Sequence, residues 1–358
     1  MSEMNDELKQ CREQIDRIDD QLLRLFNERA RLAQQIGHAK GESAVLRPER
    51  EAQILRRLTA ANPGPLPNDS VSRLFTEVMS NCRALEAPIS VAYLGPAGTF
   101  SEQAVIKRFG GAVGGQPCAS IDDVFRAVEG GSAQYGLVPV ENSTEGAIGR
   151  TLDLLLQTPL KLCGEVMLPV HQNLLSHQAD LALIRRVYSH PQSLGQCQGW
   201  LNAKLPQAER IPVASNAEAA RLASVHTHDG AAIAGLLAAQ NFGVPVLAEN
   251  IEDDPRNTTR FLVIGRQDVA PSGHDKTSLV MSAANRPGAV HDLLVPLAKN
   301  GVSMTRLESR PARSGLWEYV FYVDIEGHQA DARVAAALHE LQQAAAFVKV
   351  LGSYPAAV

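Results

Sequence analysis

The run from Glu7 to Ile36 contains neither glycine nor proline, and its apolar residues fall at Leu8, Cys11, Ile15, Ile18, Leu22, Leu25, Leu32 and Ile36. Steps of three and four mark the seam of a helix. One helix of roughly 30 to 35 residues is expected, about 50 Å long at about 1.5 Å per residue. That is longer than a domain of about 90 residues covers by itself. A second chain is therefore expected to pack along it.

Three cations break the seam. Arg29 stands where the next apolar residue belongs, Lys40 falls four after Ile36, and Arg12 adjoins Cys11. One such side chain alone snorkels to water or pairs with a neighbour such as Glu28 or Glu51. Three on one seam, with Arg47 and Arg50 just beyond the turn, are better explained by a buried anionic ligand. Arg29 and Lys40 lie about 16 Å apart along the axis, within converging reach of long side chains. Arg12 is about 25 Å from Arg29 on the same rod, so it joins them only from an antiparallel partner.

The remainder of the chain has two further textures. Short β-rich runs such as Ser90–Leu94 and Tyr135–Val138 alternate with helical ones from Pro88 to about Arg266, which reads as α/β. A polar segment, Gln267 to Asp275, reads as a linker. Beyond it the order strand, helix, strand, strand, helix, strand predicts a small ferredoxin-like sandwich. The expected division is 1–87 all-helical, 88–267 α/β and 275–358 α+β. A net charge of −5 and pI near 6.1, with no basic tract, argue against nucleic acid. The cysteines Cys11, Cys82, Cys118, Cys163 and Cys197 are odd in number and form no CxxC pair, which fits reduced thiols and no zinc site. No apolar run approaches the about 20 residues that span a bilayer, and Met1 to Gln10 is polar, so a cytoplasmic protein is expected.

Four polar clusters sit at strand ends of the middle stretch: Gly95 to Glu102, Glu141-Asn142-Ser143-Thr144, Ser189-His190-Pro191 with Gln196, and Asn257 to Phe261. That pattern describes a cleft in an open α/β fold. Thr99 or Ser101 is placed to cap a helix whose amides suit an anion. His190 reads as structural, and His226 with His228 as surface. No GxGxxG fingerprint, P-loop or HExxH is present, so neither nucleotide cofactor nor metal is expected.

Cys11 to Asp16, Glu28-Arg29, Ala39-Lys40 and Arg50-Glu51 together resemble the all-helical chorismate mutases. The resemblance implies a pocket of Arg12, Arg29, Lys40, Arg50, Glu51 and Glu86 for chorismate, with Lys40 and Glu86 catalytic. Arg47 departs from a related pattern with Asp, and Glu86 stands where many members have Gln. The four middle clusters resemble prephenate dehydratases. They imply two lobes like a type 2 periplasmic binding protein, with Thr99, Glu141, Asn142, Ser143, Ser189, Gln196, Thr259 and Arg260 around prephenate. Thr259 is expected at the leaving hydroxyl and Arg260 at a carboxylate, with a water or Glu141 as alternative proton sources. Asn285, Pro287, Gly288, Ala289, Val290, Glu308, Ser309 and Arg310 resemble the phenylalanine-binding motifs of an ACT domain, with His291 as a departure. The resemblances together imply a homodimeric or larger bifunctional enzyme of phenylalanine biosynthesis, inhibited by L-phenylalanine. A solute-binding or amino-acid-sensing protein is the alternative; the first would share the cleft but lack the cationic helix.

Overall fold

The structure, a computed structural model, describes residues 2–40, 46–283, 286–311 and 319–357. Its helical domain comprises α1 (Ser2–Lys40), α2 (Pro48–Ala60) and α3 (Asn68–Ala84). The 39 residues of α1 make a rod of about 58 Å, longer than the periodicity predicted. Its apolar seam lies largely open: Leu8, Ile18 and Leu25 are 53%, 53% and 59% exposed. Proline in the first turn of α2 fits because that turn's N–H groups have no helical acceptor.

The middle domain has two lobes. The first contains β1 (Ser90–Leu94), α4 (Phe100–Phe109), β2 (Gly114–Cys118), α5 (Ile121–Gly130), β3 (Tyr135–Asn142), β4 (Gly146–Ala147), α6 (Gly149–Gln157) and β5 (Lys161–Pro169). The chain then crosses to β6 (Asn173–Leu175), β7 (Arg186–Ser189), α7 (Pro191–Gln196), α8 (Gln198–Lys204), β8 (Glu209–Pro212), α9 (Asn216–Val225), β9 (Gly230–Ala234), α10 (Leu236–Phe242) and β10 (Val246–Ala248). It returns to the first lobe as β11 (Thr258–Gly265). The sheet orders are β2-β1-β3-β11-β5 and β10-β6-β9-β7-β8. Two lobes joined by two crossings are what a type 2 periplasmic-binding-protein fold requires.

The C-terminal domain runs β12 (Asp275–Ser282), α11 (Ala289–Lys299), β13 (Met304–Pro311), β14 (Tyr319–Glu326), α12 (Ala332–Ala344) and β15 (Phe347–Pro355), in the expected βαββαβ order. Its sheet is β13-β14-β12-β15. One face packs under α11 and α12 through Leu279, Met281, Leu293, Val323 and Leu338. The other face joins the core of the first lobe, where Val280, Tyr322, Leu351 and Tyr354 meet Val138, Leu152 and Leu262. A Cβ on Gly352 would overlap the Leu162 backbone, so glycine allows β15 to lie directly on β5.

The segment read as a linker is packed. Val269 enters the core beside Tyr135, and Gln267 bonds Tyr135 (3.0 Å) and the Leu46 carbonyl (3.2 Å). Asp275 already belongs to β12 and accepts from the Ser272 and Gly273 amides, while Arg56 of α2 donates to the Ser272 carbonyl. Composition signalled a polar turn; it could not signal that three domains meet there.

Candidate active sites

On α1, Arg29, Ala33 and Gly37 recur at four-residue steps, with Lys40 one turn on, so all four share a face. That face meets α3. The Arg29 guanidinium lies 2.9 Å from Cys82 Sγ, and Glu86, four residues past Cys82, lays its side chain on Gly37. A Cβ at Gly37 would stand 2.9 Å from Glu86 Cγ, so the glycine makes the space the carboxylate occupies. Arg29 and Glu86 are thus brought to one seam, both half-buried. Lys40 is on the same stripe by spacing, its side chain outside the described ones. Arg50 is exposed on α2, and Arg12 is exposed far along α1.

Glu51, expected in that pocket, is turned away from it. Both its oxygens are taken, one by Arg83 of α3 and one by Arg108 of α4 at 3.0 Å. Arg83 also donates to the Phe109 carbonyl, and burial followed by the nearby Arg108 charge lowers its pKa to about 10. Arg47 pairs with Glu49 at 3.4 Å. A recess of about 860 Å³ lies beyond Glu51, between α2, α3, β5 and the C-terminal tail; of the candidate residues only Glu51 lines it.

The second cluster sits where β3 and β11 pair, Asn142 opposite Thr259. Directly opposed residues share a face, and Asn142 Nδ2 donates to Thr259 Oγ1 and to Asn257 Oδ1, both at 2.9 Å. The amide cannot be reversed, because Asn142 Oδ1 accepts from the Thr144 and Glu145 backbone N–H groups at 3.1 and 3.3 Å. Ser143 ties the turn together by accepting from the Thr258 amide.

In the second lobe, Ser189, Ser193, Asn216, Gln172 and Gln196 form one network. Gln172 donates to Ser193 (3.0 Å) and Gln196 (3.2 Å), Asn216 donates to Ser193 (2.9 Å), and Ser189 donates to the Ile233 carbonyl (2.9 Å). The two clusters meet at the crossings between lobes, where the Val170 amide bonds Asn257 O and the Ile251 amide bonds Gln172 O, both 2.8 Å. The Gly95–Glu102 loop closes over this hinge. Gly98, at φ +87, lies against Ala217 and Ala238 of the second lobe, an approach only glycine makes without strain. Thr99 holds the helix N-cap position, yet its hydroxyl donates to Leu94 O, and Glu102 instead accepts from the Gly98 amide.

Comparison with known proteins agrees with this division. The family profile for prephenate dehydratase matches residues 91–269, chorismate mutase type II matches 11–87, and the ACT domain matches 277–343. A bifunctional chorismate mutase/prephenate dehydratase of Neisseria gonorrhoeae is 56% identical over 100% of both chains. The chain belongs to the bifunctional chorismate mutase/prephenate dehydratase family. A namesake from Stutzerimonas stutzeri is 50% identical over 99% of each chain. Among solved structures, prephenate dehydratase from Arthrobacter aurescens in complex with L-Phe is 34% identical at a TM-score of 0.69, covering 75% of this chain and 90% of that one.

Several dehydratase and ACT candidates stand apart from the positions expected of them. Glu141 and Arg260 are one residue from Asn142 and Thr259, so strand alternation turns them to the opposite face. Arg260 is buried there against Glu165 (2.9 Å), Asp324 (2.5 Å) and Tyr354 (3.0 Å), each of its three nitrogens engaged on the face away from Thr259. Burial lowers its pKa, but the facing Tyr354, Asp324 and Glu165 outweigh that and keep it charged. Glu141 pairs with Arg306 at 3.0 Å and does not approach Thr259. In the ACT domain, Pro287 precedes Gly288, the N-cap of α11, left-handed at φ +78, and Ala289 and Val290 open the helix. Glu308 and Ser309 lie on β13, the sheet's edge. Arg310 points into the dehydratase domain, 3.1 Å from Asp153. Asn285 lies outside the described residues. His291 is exposed beside Asp292.

The sequence pattern does not single out Gln172, Asn216 or Asn257 as site residues: Asn257 opens the Asn257–Phe261 cluster, and Asn216 follows Ser215, the N-cap of α9. His190 does cap α7, accepting from Gln192 N. Among the described residues no helix is long and apolar enough to cross a membrane, and no cluster of three metal-ligating side chains occurs.

Proposed function

We propose that residues 1–87 rearrange chorismate to prephenate, that residues 88–267 convert prephenate to phenylpyruvate, and that residues 275–358 restrain the second step when phenylalanine binds. The observation that best supports the dehydratase assignment is the fixed donor chain ending at Thr259. Asn142 donates a hydrogen bond to Thr259 Oγ1, which leaves the threonine's own proton available for donation. In the reaction the bond to the ring carboxylate breaks, its electron pair enters the ring, and the hydroxyl departs as water after taking up a proton. Thr259 is the donor to that departing oxygen. Since a threonine hydroxyl is a weak acid and Glu141 faces the other way, the net proton comes from water relayed through Thr259.

In the mutase no covalent step is needed. Arg29, Lys40 and Arg50 hold the two carboxylates of chorismate in its folded conformer and stabilise the ether oxygen as its bond breaks. Arg12 completes the site from a second copy, which also covers the bare seam of α1. Glu86 faces the ether oxygen, where an amide donates a hydrogen bond directly, so Glu86→Gln is expected to keep or raise mutase turnover and Glu86→Ala to lower it. Equal turnover in Glu86→Ala and wild type would contradict this role. Phenylalanine binds between two ACT domains in this reading, at the start of α11 and along β13. The protein works in the cytoplasm as a homodimer or larger assembly, without metal or organic cofactor.

The test is an ultraviolet assay of purified full-length protein supplied with chorismate, following phenylpyruvate with and without phenylalanine. Near-normal dehydratase turnover in Thr259→Ala would remove the threonine from its role.

A further inference from the structure

The back of the dehydratase strands is gripped by the regulatory domain in an unusually paired way. Glu141 and Arg260 are direct partners across β3 and β11. Arg306 and Asp324 are direct partners across β13 and β14. The two pairs face each other with opposite polarity: Arg260 reaches Asp324 at 2.5 Å, and Arg306 reaches Glu141 at 3.0 Å. Asp324 is further fixed by Ser278, and Glu165 holds both Arg260 and Lys276. Arg260, Glu165 and Asp324 are each at most 7% exposed, so little water competes.

The position of this clasp gives it consequences. Glu141 precedes Asn142 and Arg260 follows Thr259, so both grips act one residue from the donor chain, on the reverse of the same two strands. A pleated strand cannot shift one residue without moving its neighbour. On the other side, Arg306 lies two residues before Glu308 and four before Arg310, on the same face of β13. Its Nη2 is buried with no partner among the described residues, so this arm of the clasp is incompletely satisfied.

We propose that Arg306 and Asp324, both supplied by the ACT domain, are positioning residues for the dehydratase. Through Glu141 and Arg260 they set the alignment of Asn142 and Thr259, and effector binding along β13 reaches the catalytic strands by this route. The inference rests on the dehydratase reading above. Two features separate it from a generic stability effect: the clasp is reciprocal, and the mutase on the same chain, whose Arg29 and Glu86 are not members of the clasp, provides an internal control.

The experiment uses the full-length protein as wild type, Arg306→Gln, Asp324→Asn and the exchange Glu141→Arg/Arg306→Glu. Mutase turnover, dehydratase kcat and KM, and the phenylalanine concentration for half-inhibition are measured on each. Wild-type turnover of prephenate checks the functional reading independently of the variants. Asp324→Asn is expected to lower dehydratase kcat by about 100-fold, the loss that a misplacement of about 1 Å produces, with KM and mutase turnover little changed. Arg306→Gln lowers kcat by about tenfold and raises the half-inhibitory phenylalanine concentration by a similar factor, within the usual range of allosteric coupling. The exchange restores at least part of both. Wild-type dehydratase kcat and phenylalanine response in Arg306→Gln and Asp324→Asn overturn the proposal, as does an exchange no better than Arg306→Gln. If Asp324→Asn fails to fold, seen as lost mutase turnover, Arg306→Gln and the exchange decide on the same criteria.

Discussion

The helical domain and the dehydratase domain reach their active residues by opposite means. Asn142, Thr259 and Gln172 are oriented by Asn257, Ser193 and Gln196 within one chain, and Gly98 lies against Ala217 and Ala238 across the hinge. Around Arg29, among the described residues, one wall is formed by Cys82 of α3 and Glu86 just after it, while much of the apolar seam of α1 is open to solvent. A soluble protein rarely exposes so long an apolar stripe unless another surface covers it. The difference supports the proposal that one chain suffices for the second reaction's site and that the first's takes a wall from a second copy.

Selective variants break this comparison most strongly. Thr259→Ala is expected to cut dehydratase turnover by about 10² to 10⁴-fold, the usual yield of a positioned proton donor, and to leave the mutase intact. Arg29→Ala is expected to do the reverse, costing the mutase about 10² to 10³-fold, as removal of a charge-stabilising donor does. Separate assays of both reactions on each purified variant check the pair; parallel loss of both activities would contradict two independent sites.

Stability sharpens the comparison further. Glu51, Arg83 and Arg108 form a buried junction between the domains. Arg83→Met strands the Glu51 charge with one partner and is expected to cost about 3 to 5 kcal/mol in urea unfolding. A loss below about 1 kcal/mol would mean the junction is solvated after all. A separate effect comes with pH, confined to the alkaline range. Burial pushes the Cys163 and Cys197 thiols from 9.0 up to about 12 in the folded chain. The folded state then holds protons that the unfolded chain releases, so this contribution is complete below about pH 9 and fades as pH rises towards about 12. Each thiol weakens folding by about 1.4 kcal/mol per pH unit across that window. Cys163→Ala and Cys197→Ala are expected to flatten the alkaline limb of the unfolding curve; an unchanged limb would contradict burial of the neutral thiols.

What could be read in advance follows from how local each signal was. The α1 seam, the βαββαβ order and the polar clusters at strand ends are short-range patterns, and each appears where the sequence placed it. The side of a strand is not short-range. Glu141 and Arg260 shared motifs with Asn142 and Thr259, yet pairing register sends them to the reverse face, where the ACT domain waits. Glu51 resembled a pocket residue, but its fate depended on Arg108 in another domain. Gln172 and Asn216 carry no motif of their own; only the folded hinge brings them to Gln196 and Ser193.

The dependence of the first site on a second chain is tested most directly by mixing. Arg12→Ala and Arg29→Ala proteins are each prepared, unfolded together and refolded, and mutase turnover is compared with the unmixed samples. If Arg12 and Arg29 of different chains meet in one site, half the dimers are mixed and each regains one intact site, giving roughly a quarter of wild-type activity. No gain over the unmixed variants, with dehydratase activity recovered, would contradict a mutase site shared between chains.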